Sequence, residues 1–130
     1  MKSIEDYTLL SAYYHLLFTI EEGLCYLIEA EENLSKTEGD RIYQDLIQAF
    51  FYLDSTHSTL LFIMDSRCAE ICVKAFDQIF AEFDQLVSFS FPSHEFCEYL
   101  KEHFLIHYRK WMLSIHQCME PFLINSIRRL

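Results

Sequence analysis

The residues of this sequence that could do chemistry are concentrated in residues 102–117, EHFLIHYRKWMLSIHQ. His103 and His107 are four residues apart, a spacing that places two side chains on the same face of a helix. Two imidazoles in that arrangement can bind one metal ion, and His57 on an earlier segment could be a third ligand. The candidate metal ligands are therefore His57, His103 and His107. The alternative is that these histidines only pack or face solvent.

Two known families resemble parts of this pattern. Metal-binding bundles of the DinB type have a similar layout, with an HxxxH pair on a late helix and another His on an earlier one. Ribonucleases of the HEPN type are small helical dimers in which an Arg and a His across a cleft activate a ribose hydroxyl. "RKWMLSIH" resembles the loosest form of that motif, which implies Arg109 and His116 as the pair. The position after the Arg, commonly a polar residue in that motif, is Lys110.

The charge balance argues against nucleic acid as a partner. The 20 acidic and 10 basic residues give a formal net charge of −10. Binding a polyanion requires a basic surface that releases counterions, whereas an acidic surface keeps an apolar protein in solution or attracts a basic partner. The two glycines cannot build a phosphate-binding loop or a strained turn that presents a nucleophile. We therefore expect no enzymatic activity and no cofactor.

Length and composition predict one domain without a membrane segment. The chain has 130 residues, a common size for a single domain, and 52% of them are hydrophobic. The five cysteines include no CxxC pair, which favours a reducing compartment where they pack as small apolar residues. Neither a signal peptide nor an apolar run of about 18 residues is evident. We expect a cytoplasmic protein.

Hydrophobic periodicity predicts the secondary structure. Apolar residues recur at alternating steps of three and four, the period of an amphipathic helix. The stripe of the second helix ends before Arg67, and a new stripe begins at Ala69. One straight helix cannot present both stripes to one core, so we place a break within "MDSR", with Asp65 or Ser66 as the next N-cap. The predicted helices span residues 4–34, 40–64, 66–89 and 93–120.

Four such helices joined by short loops are typical of an all-α, antiparallel up-down four-helix bundle, here a single domain over residues 1–130. Gly23 lies inside the first helix, where either a close helix crossing or a local kink would explain it. Pro121 should bend or end the last helix near residues 117–120, because proline removes a backbone donor.

The acidic first helix suggests a docking surface. Glutamates crowd the C-terminal end of this helix, where the helix dipole disfavours negative charge. One explanation is solvation, with Lys36 or Arg41 capping the helix. The other is a surface that attracts a basic partner protein. The candidate contact residues on this helix are Glu21, Glu22, Glu29, Glu31 and Glu32.

A surplus of aromatic residues points to a second apolar surface. "AFFYL" at residues 49–53 is apolar around the whole circumference of a helix, although every helix of a four-helix bundle has an outer side. We therefore expect a homodimer or a partner-binding groove, with Phe51 and Tyr52 as apolar contact residues. A cavity for an apolar ligand inside the aromatic core is the alternative.

Two segments, "IEEGLCYLIE" and "IYQDLIQAFFYL", resemble uncharacterised small acidic helical proteins of Gram-positive, spore-forming bacteria of the Bacillus type. The resemblance covers about residues 16–63 and implies a small cytoplasmic bundle of regulatory or unknown role. The resulting expectation is a non-enzymatic regulatory or adaptor protein that binds another protein. The alternatives are a DinB-like metal-binding bundle, a sensor of an apolar ligand and, more remotely, a HEPN-type ribonuclease.

Overall fold

The computed structural model describes residues 3–129, and it describes side chains for residues 3–124. Every regular element in this part of the chain is helical, so the predicted all-α class is confirmed. The elements are α1 (Ile4–Glu32), α2 (Gly39–Met64), α3 (Arg67–Ser88), α4 (His94–Tyr99), a π-helical turn (Leu100–Phe104) and α5 (Leu105–Arg129).

The predicted break in the middle of the chain is confirmed. Asp65 ends α2 in the left-handed conformation, with a φ of 44°. Ser66 then caps α3, because its side-chain oxygen accepts a hydrogen bond of 3.1 Å from the Ala69 amide. The change of hydrophobic register therefore marks a two-residue connection, and α1, α2 and α3 begin and end within two residues of their predicted limits.

The last predicted helix, 93–120, differs from the structure in two ways. The π-helical turn at Leu100–Phe104 interrupts it, and the Leu105 amide bonds the Leu100 carbonyl five residues back. Pro121 does not end the helix, since α5 continues through it to Arg129. Phe122 and Leu123 pack against the core, so burial of apolar surface offsets the hydrogen bond that proline cannot make.

Each of the four long helices packs against two others. α1 lies against α2 and α5, and α3 lies against the same two helices. Phe50 of α2 stacks on Phe83 of α3 with ring centroids 4.1 Å apart. The Tyr108 hydroxyl of α5 donates to the Leu17 carbonyl of α1 at 2.7 Å. Side chains from all four helices therefore meet in one aromatic core.

Gly23 marks a close approach of two helices. A Cβ atom at this position would lie 3.1 Å from Cδ2 of Leu46 on α2. α1 is unbroken from Ile4 to Glu32, so the close crossing, rather than an interruption of the helix, accounts for the glycine.

Within residues 3–129, none of the helices combines the length and apolar composition that a bilayer-spanning segment needs.

The cysteines are not all free thiols, contrary to the expectation from the sequence. Cys68 at the start of α3 forms a disulfide with Cys118 of α5. Cys72 and Cys97 are free and buried, as small core residues would be, and Cys25 is free and half-buried. The pairing of residues 50 positions apart depends on how α3 meets α5, which the spacing along the chain does not reveal.

Candidate functional site

The most distinctive surface of the molecule lies where α2 meets α3. The exposed ring of Phe51 on α2 contacts Phe80 on α3 edge to face, with ring centroids 5.6 Å apart. Helical spacing places Asp54 on the same side of α2 as Phe51. It likewise places Asp77 and Asp84 on the same side of α3 as Phe80. We call these five residues the α2–α3 face.

The aspartates of the α2–α3 face outnumber the cations beside them, since Lys74, one turn before Asp77, is an exposed lysine on this side of α3. Asp54, Asp77 and Asp84 are all exposed, and none takes part in the ion pairs of the described side chains. Arg41 and Arg67 lie near the starts of α2 and α3 and pair locally, Arg41 with Glu38 and Arg67 with Glu70. The face therefore combines the exposed Phe51, packed on the half-buried Phe80, with an excess of negative charge.

A buried polar pair lies directly beneath this face. The Tyr13 hydroxyl and Nε2 of His57 are 2.6 Å apart, and the His57 side chain is 5% exposed. Burial lowers the pKa of His57 to about 4, although Asp54 and Asp77 partly oppose the shift through their charge. Burial also raises the pKa of Tyr13. Both groups are therefore neutral near pH 7, and they share one hydrogen bond inside the bundle.

The two predicted apolar contact residues are both at the surface. Phe51 is 58% exposed and Tyr52 is 45% exposed. Successive residues of a helix are about 100° apart, so Tyr52 lies on the outer side of α2 away from the Phe51–Phe80 contact. Phe50 and Leu53 fill the core at the same time, so this run of α2 places apolar side chains both inside the bundle and at its surface.

Three of the five glutamates predicted as an acidic rim pair with side chains of other segments. Glu21 bonds Arg109 of α5 at 2.7 Å, Glu29 pairs with Lys36 at 3.4 Å, and Glu31 bonds His94 of α4 at 2.9 Å. Glu22 and Glu32 are exposed. The Lys36 contact agrees with the alternative that a basic residue caps the end of α1.

The three predicted metal ligands are not brought together. His57 is buried against Tyr13 and Phe76, His103 is exposed beside Tyr99, and His107 bonds Glu82 of α3. Among the described side chains, the single group whose possible ligand atoms lie within 4.8 Å of one another is Cys68, Cys72 and Cys118. The histidines thus have separate surroundings, although His103 and His107 do share a helical segment.

Arg109 and His116 are also engaged in contacts within the chain. The Arg109 guanidinium bonds both Glu21 and the sulfur of Cys25. His116 is buried, its ring lies against Tyr14, and Nε2 donates to the Tyr14 carbonyl at 3.0 Å. Burial lowers the pKa of His116, so the neutral imidazole serves as a packing residue between α1 and α5.

Sequence reasoning missed the acidic part of the α2–α3 face. Asp77, Phe80 and Asp84 follow one another at helical spacing, a pattern visible in the sequence. Their position beside Phe51 depends on how α2 and α3 pair, and that is information only a tertiary structure contains. The glutamates of α1 were predicted as the acidic docking surface instead, because they lie close together in the sequence.

Comparison with known proteins identifies the family without assigning an activity. No solved structure matches the chain. The family model described as "Domain of unknown function (DUF8042)" matches residues 8–114, most of the 130-residue chain. The matched segment contains every residue of the α2–α3 face and the Tyr13–His57 pair beneath it. The chain therefore belongs to the DUF8042 family.

Proposed function

We propose that this protein is a non-enzymatic regulatory or adaptor protein, folded as one antiparallel up-down four-helix bundle, that binds a basic amphipathic segment of another protein. The observation that carries the proposal is the α2–α3 face, where three aspartates without ion-pair partners surround the exposed contact of Phe51 with Phe80. An exposed aromatic anchor bordered by charge is typical of a protein-binding surface.

The chemistry of the face selects the partner. Phe51 and Phe80 favour an apolar side chain, and the three aspartates favour lysine or arginine on either side of it. A helix with apolar residues at steps of three and four presents both features along one edge. We therefore assign the basic partner expected from the overall charge of −10 to this face of α2 and α3.

A second copy of the chain fits this face less well than a basic partner. In a symmetric dimer built through the α2–α3 face, the aspartates of one copy would face the aspartates of the other. Like charges brought together in an interface are destabilising. The homodimer expected from the aromatic surplus is still a prediction, and it would form through a different surface.

We also propose a cytoplasmic location for the protein.

Two synthetic helical peptides with the same leucine pattern test the proposal, one carrying lysine and the other glutamate at the remaining positions. We expect the lysine peptide to bind in fluorescence anisotropy and the glutamate peptide not to bind. The triple variant Asp54→Asn/Asp77→Asn/Asp84→Asn should weaken binding about tenfold or more, since each exposed charge pair contributes up to about 1 kcal/mol. Phe51→Ser should weaken it by a similar factor through loss of the anchor.

A matched variant separates the α2–α3 face from the total charge of the protein. Glu22→Gln/Glu32→Gln/Glu102→Gln removes the same number of charges from exposed positions outside the face. We expect it to bind the lysine peptide within about twofold of the unmodified protein. Equal weakening by the two triple variants would mean that net charge alone attracts the peptide, and the proposed site would then be rejected.

A further inference from the structure

Three cysteine sulfurs meet where the start of α3 packs against α5. The Sγ atoms of Cys68, Cys72 and Cys118 lie within 4.8 Å of one another. Cys68 and Cys118 are joined as a disulfide, and the Sγ of Cys72 is 3.5 Å from that of Cys118. A free thiol is therefore in van der Waals contact with one sulfur of a disulfide, the arrangement from which thiol–disulfide exchange starts.

The two cysteines of α3 have opposite surroundings. Cys68 and Cys72 are four residues apart and face the same side of the helix, but Cys68 is exposed and Cys72 is buried. Cys68 is the second residue of α3, where the amide groups of the first turn stabilise negative charge on a departing sulfur. Burial raises the pKa of the Cys72 thiol, which keeps this residue protonated for most of the time at neutral pH.

We propose that Cys68, Cys72 and Cys118 form a thiol–disulfide exchange site in which Cys118 alternates between two partners and Cys68 is the sulfur exposed to solvent. The Cys72 thiol loses its proton to water, and its sulfur attacks Cys118. A Cys72–Cys118 bond forms, the Cys68–Cys118 bond breaks, and the electron pair leaves on Cys68 as a thiolate. No oxidant is consumed, because one disulfide replaces another.

The reduced site is oxidised by a low-molecular-weight disulfide. The exposed Cys68 thiolate attacks that disulfide, forms a mixed disulfide with one half and releases the other half as a thiol. Cys118 then attacks the sulfur of Cys68, which forms the Cys68–Cys118 bond and releases the second half as a thiol. Two protein thiols and one small disulfide thus become one protein disulfide and two small thiols.

The packing of α3 against α5 holds Cys72, the buried free thiol of this site, in place. The Trp111 indole N–H donates to the Cys72 carbonyl at 2.9 Å and holds this turn of α3 against α5. A groove of about 500 Å³ between α3 and α5 has Cys72 and Trp111 in its lining. Disulfides of cytoplasmic proteins are typically transient and redox-sensing. An exchangeable pair is therefore compatible with the predicted cytoplasmic location, and it goes beyond the proposed docking function.

Disulfide mapping tests the site directly. Protein purified without reductant is alkylated, digested and analysed by mass spectrometry without reduction. Trypsin cuts after Arg67 and Lys74 and leaves Cys68 and Cys72 on one peptide, so a protease that cuts after Glu70 is also required. We expect Cys118 to be linked mainly to Cys68 in the unmodified protein, with a minor fraction linked to Cys72.

Two variants distinguish exchange from a fixed structural disulfide. In Cys68→Ser, Cys118 has only Cys72 as a neighbouring sulfur. Refolding in glutathione disulfide, during which every thiol is accessible, should therefore join Cys72 to Cys118, so that both resist alkylation after denaturation. In Cys118→Ser, glutathione disulfide should leave one glutathionyl group on Cys68 and none on Cys72. The control Cys25→Ser removes a thiol from the α1–α5 contact and should leave the disulfide map unchanged.

Two results would overturn the proposal. One is a folded Cys68→Ser variant, refolded in glutathione disulfide, whose Cys72 is fully alkylated once the protein is denatured. The other is unmodified protein that retains all three thiols and about one equivalent of zinc, since three thiolates can also bind that metal. Should Cys68→Ser fail to fold, acid quenching of the unmodified protein in glutathione redox buffers gives the same decision through the presence or absence of the Cys72–Cys118 disulfide.

Discussion

Reducing the Cys68–Cys118 disulfide is expected to lower the free energy of unfolding by about 4 kcal/mol, because the bond closes a loop of about 50 residues and restricts the unfolded chain. The bond also ties the first turn of α3 to α5. Denaturant titration of one preparation, with and without a phosphine reductant, measures the difference. No substitution is needed, so the native packing is the same in both arms.

The variant Cys68→Ser/Cys72→Ser is the control for this effect. It retains Cys118 without a nearby cysteine, so its stability should be insensitive to the reductant. Cys68→Ser alone should keep most of the sensitivity, since Cys72 can take over the bond to Cys118. An equal free energy of unfolding with and without reductant would show that the disulfide does not stabilise the unmodified protein.

Acidification from pH 6.5 to pH 4 should cost about 3 kcal/mol of stability through His57 alone. Burial lowers the pKa of His57 to about 4 in the folded protein, compared with about 6.5 in an unfolded chain. At a pH between these two pKa values, His57 is protonated in the unfolded chain and neutral in the folded protein. The contribution of His57 is therefore complete above pH 6.5 and is lost as the pH falls toward 4.

A double variant isolates the His57 contribution from the carboxylates that titrate in the same range. Tyr13→Phe/His57→Leu removes both members of the buried hydrogen bond, so that neither is left without a partner. We expect its stability to fall less steeply between pH 6.5 and pH 4, by about 3 kcal/mol in total. Parallel pH profiles of the two proteins would rule out a neutral, buried His57.

The local part of the fold could be predicted from the sequence. The change of stripe between Arg67 and Ala69 located the connection at Asp65 and Ser66, because hydrophobic periodicity and helix capping depend on neighbours in the chain. The aromatic run at residues 49–53 likewise showed that α2 must fill the core with Phe50 and still expose Phe51. Such inferences need no knowledge of which helices touch.

Features that depend on tertiary packing could not be predicted. The contact of Phe51 with Phe80 and the Cys68–Cys118 bond both join different helices. The π-helical turn has one weak correlate in the sequence. The apolar residues Leu100, Phe104 and Tyr108 follow one another at two successive steps of four, and all three are buried. The helix does not end at Pro121, because the packing of Phe122 and Leu123 outweighs the local cost of the proline.

The site predictions were limited in the same way, because the sequence does not show which helices contact one another. Glutamates close together in the sequence were grouped as one rim, although three of them pair with side chains of other segments: Arg109, Lys36 and His94. The histidines were grouped by spacing, whereas burial separates His57 from the exposed His103 and His107. Residue type and spacing named the possible chemistry, and the pairing of helices decided which groups share a surface.

Nuclear magnetic resonance of the nitrogen-15-labelled protein, titrated with the leucine–lysine peptide, tests the central claim most directly. We expect the largest amide shift changes at Phe51 and Asp54 on α2 and between Asp77 and Asp84 on α3. Largest changes on α1 between residues 21 and 32, or small changes spread evenly over the surface, would contradict docking at the α2–α3 face.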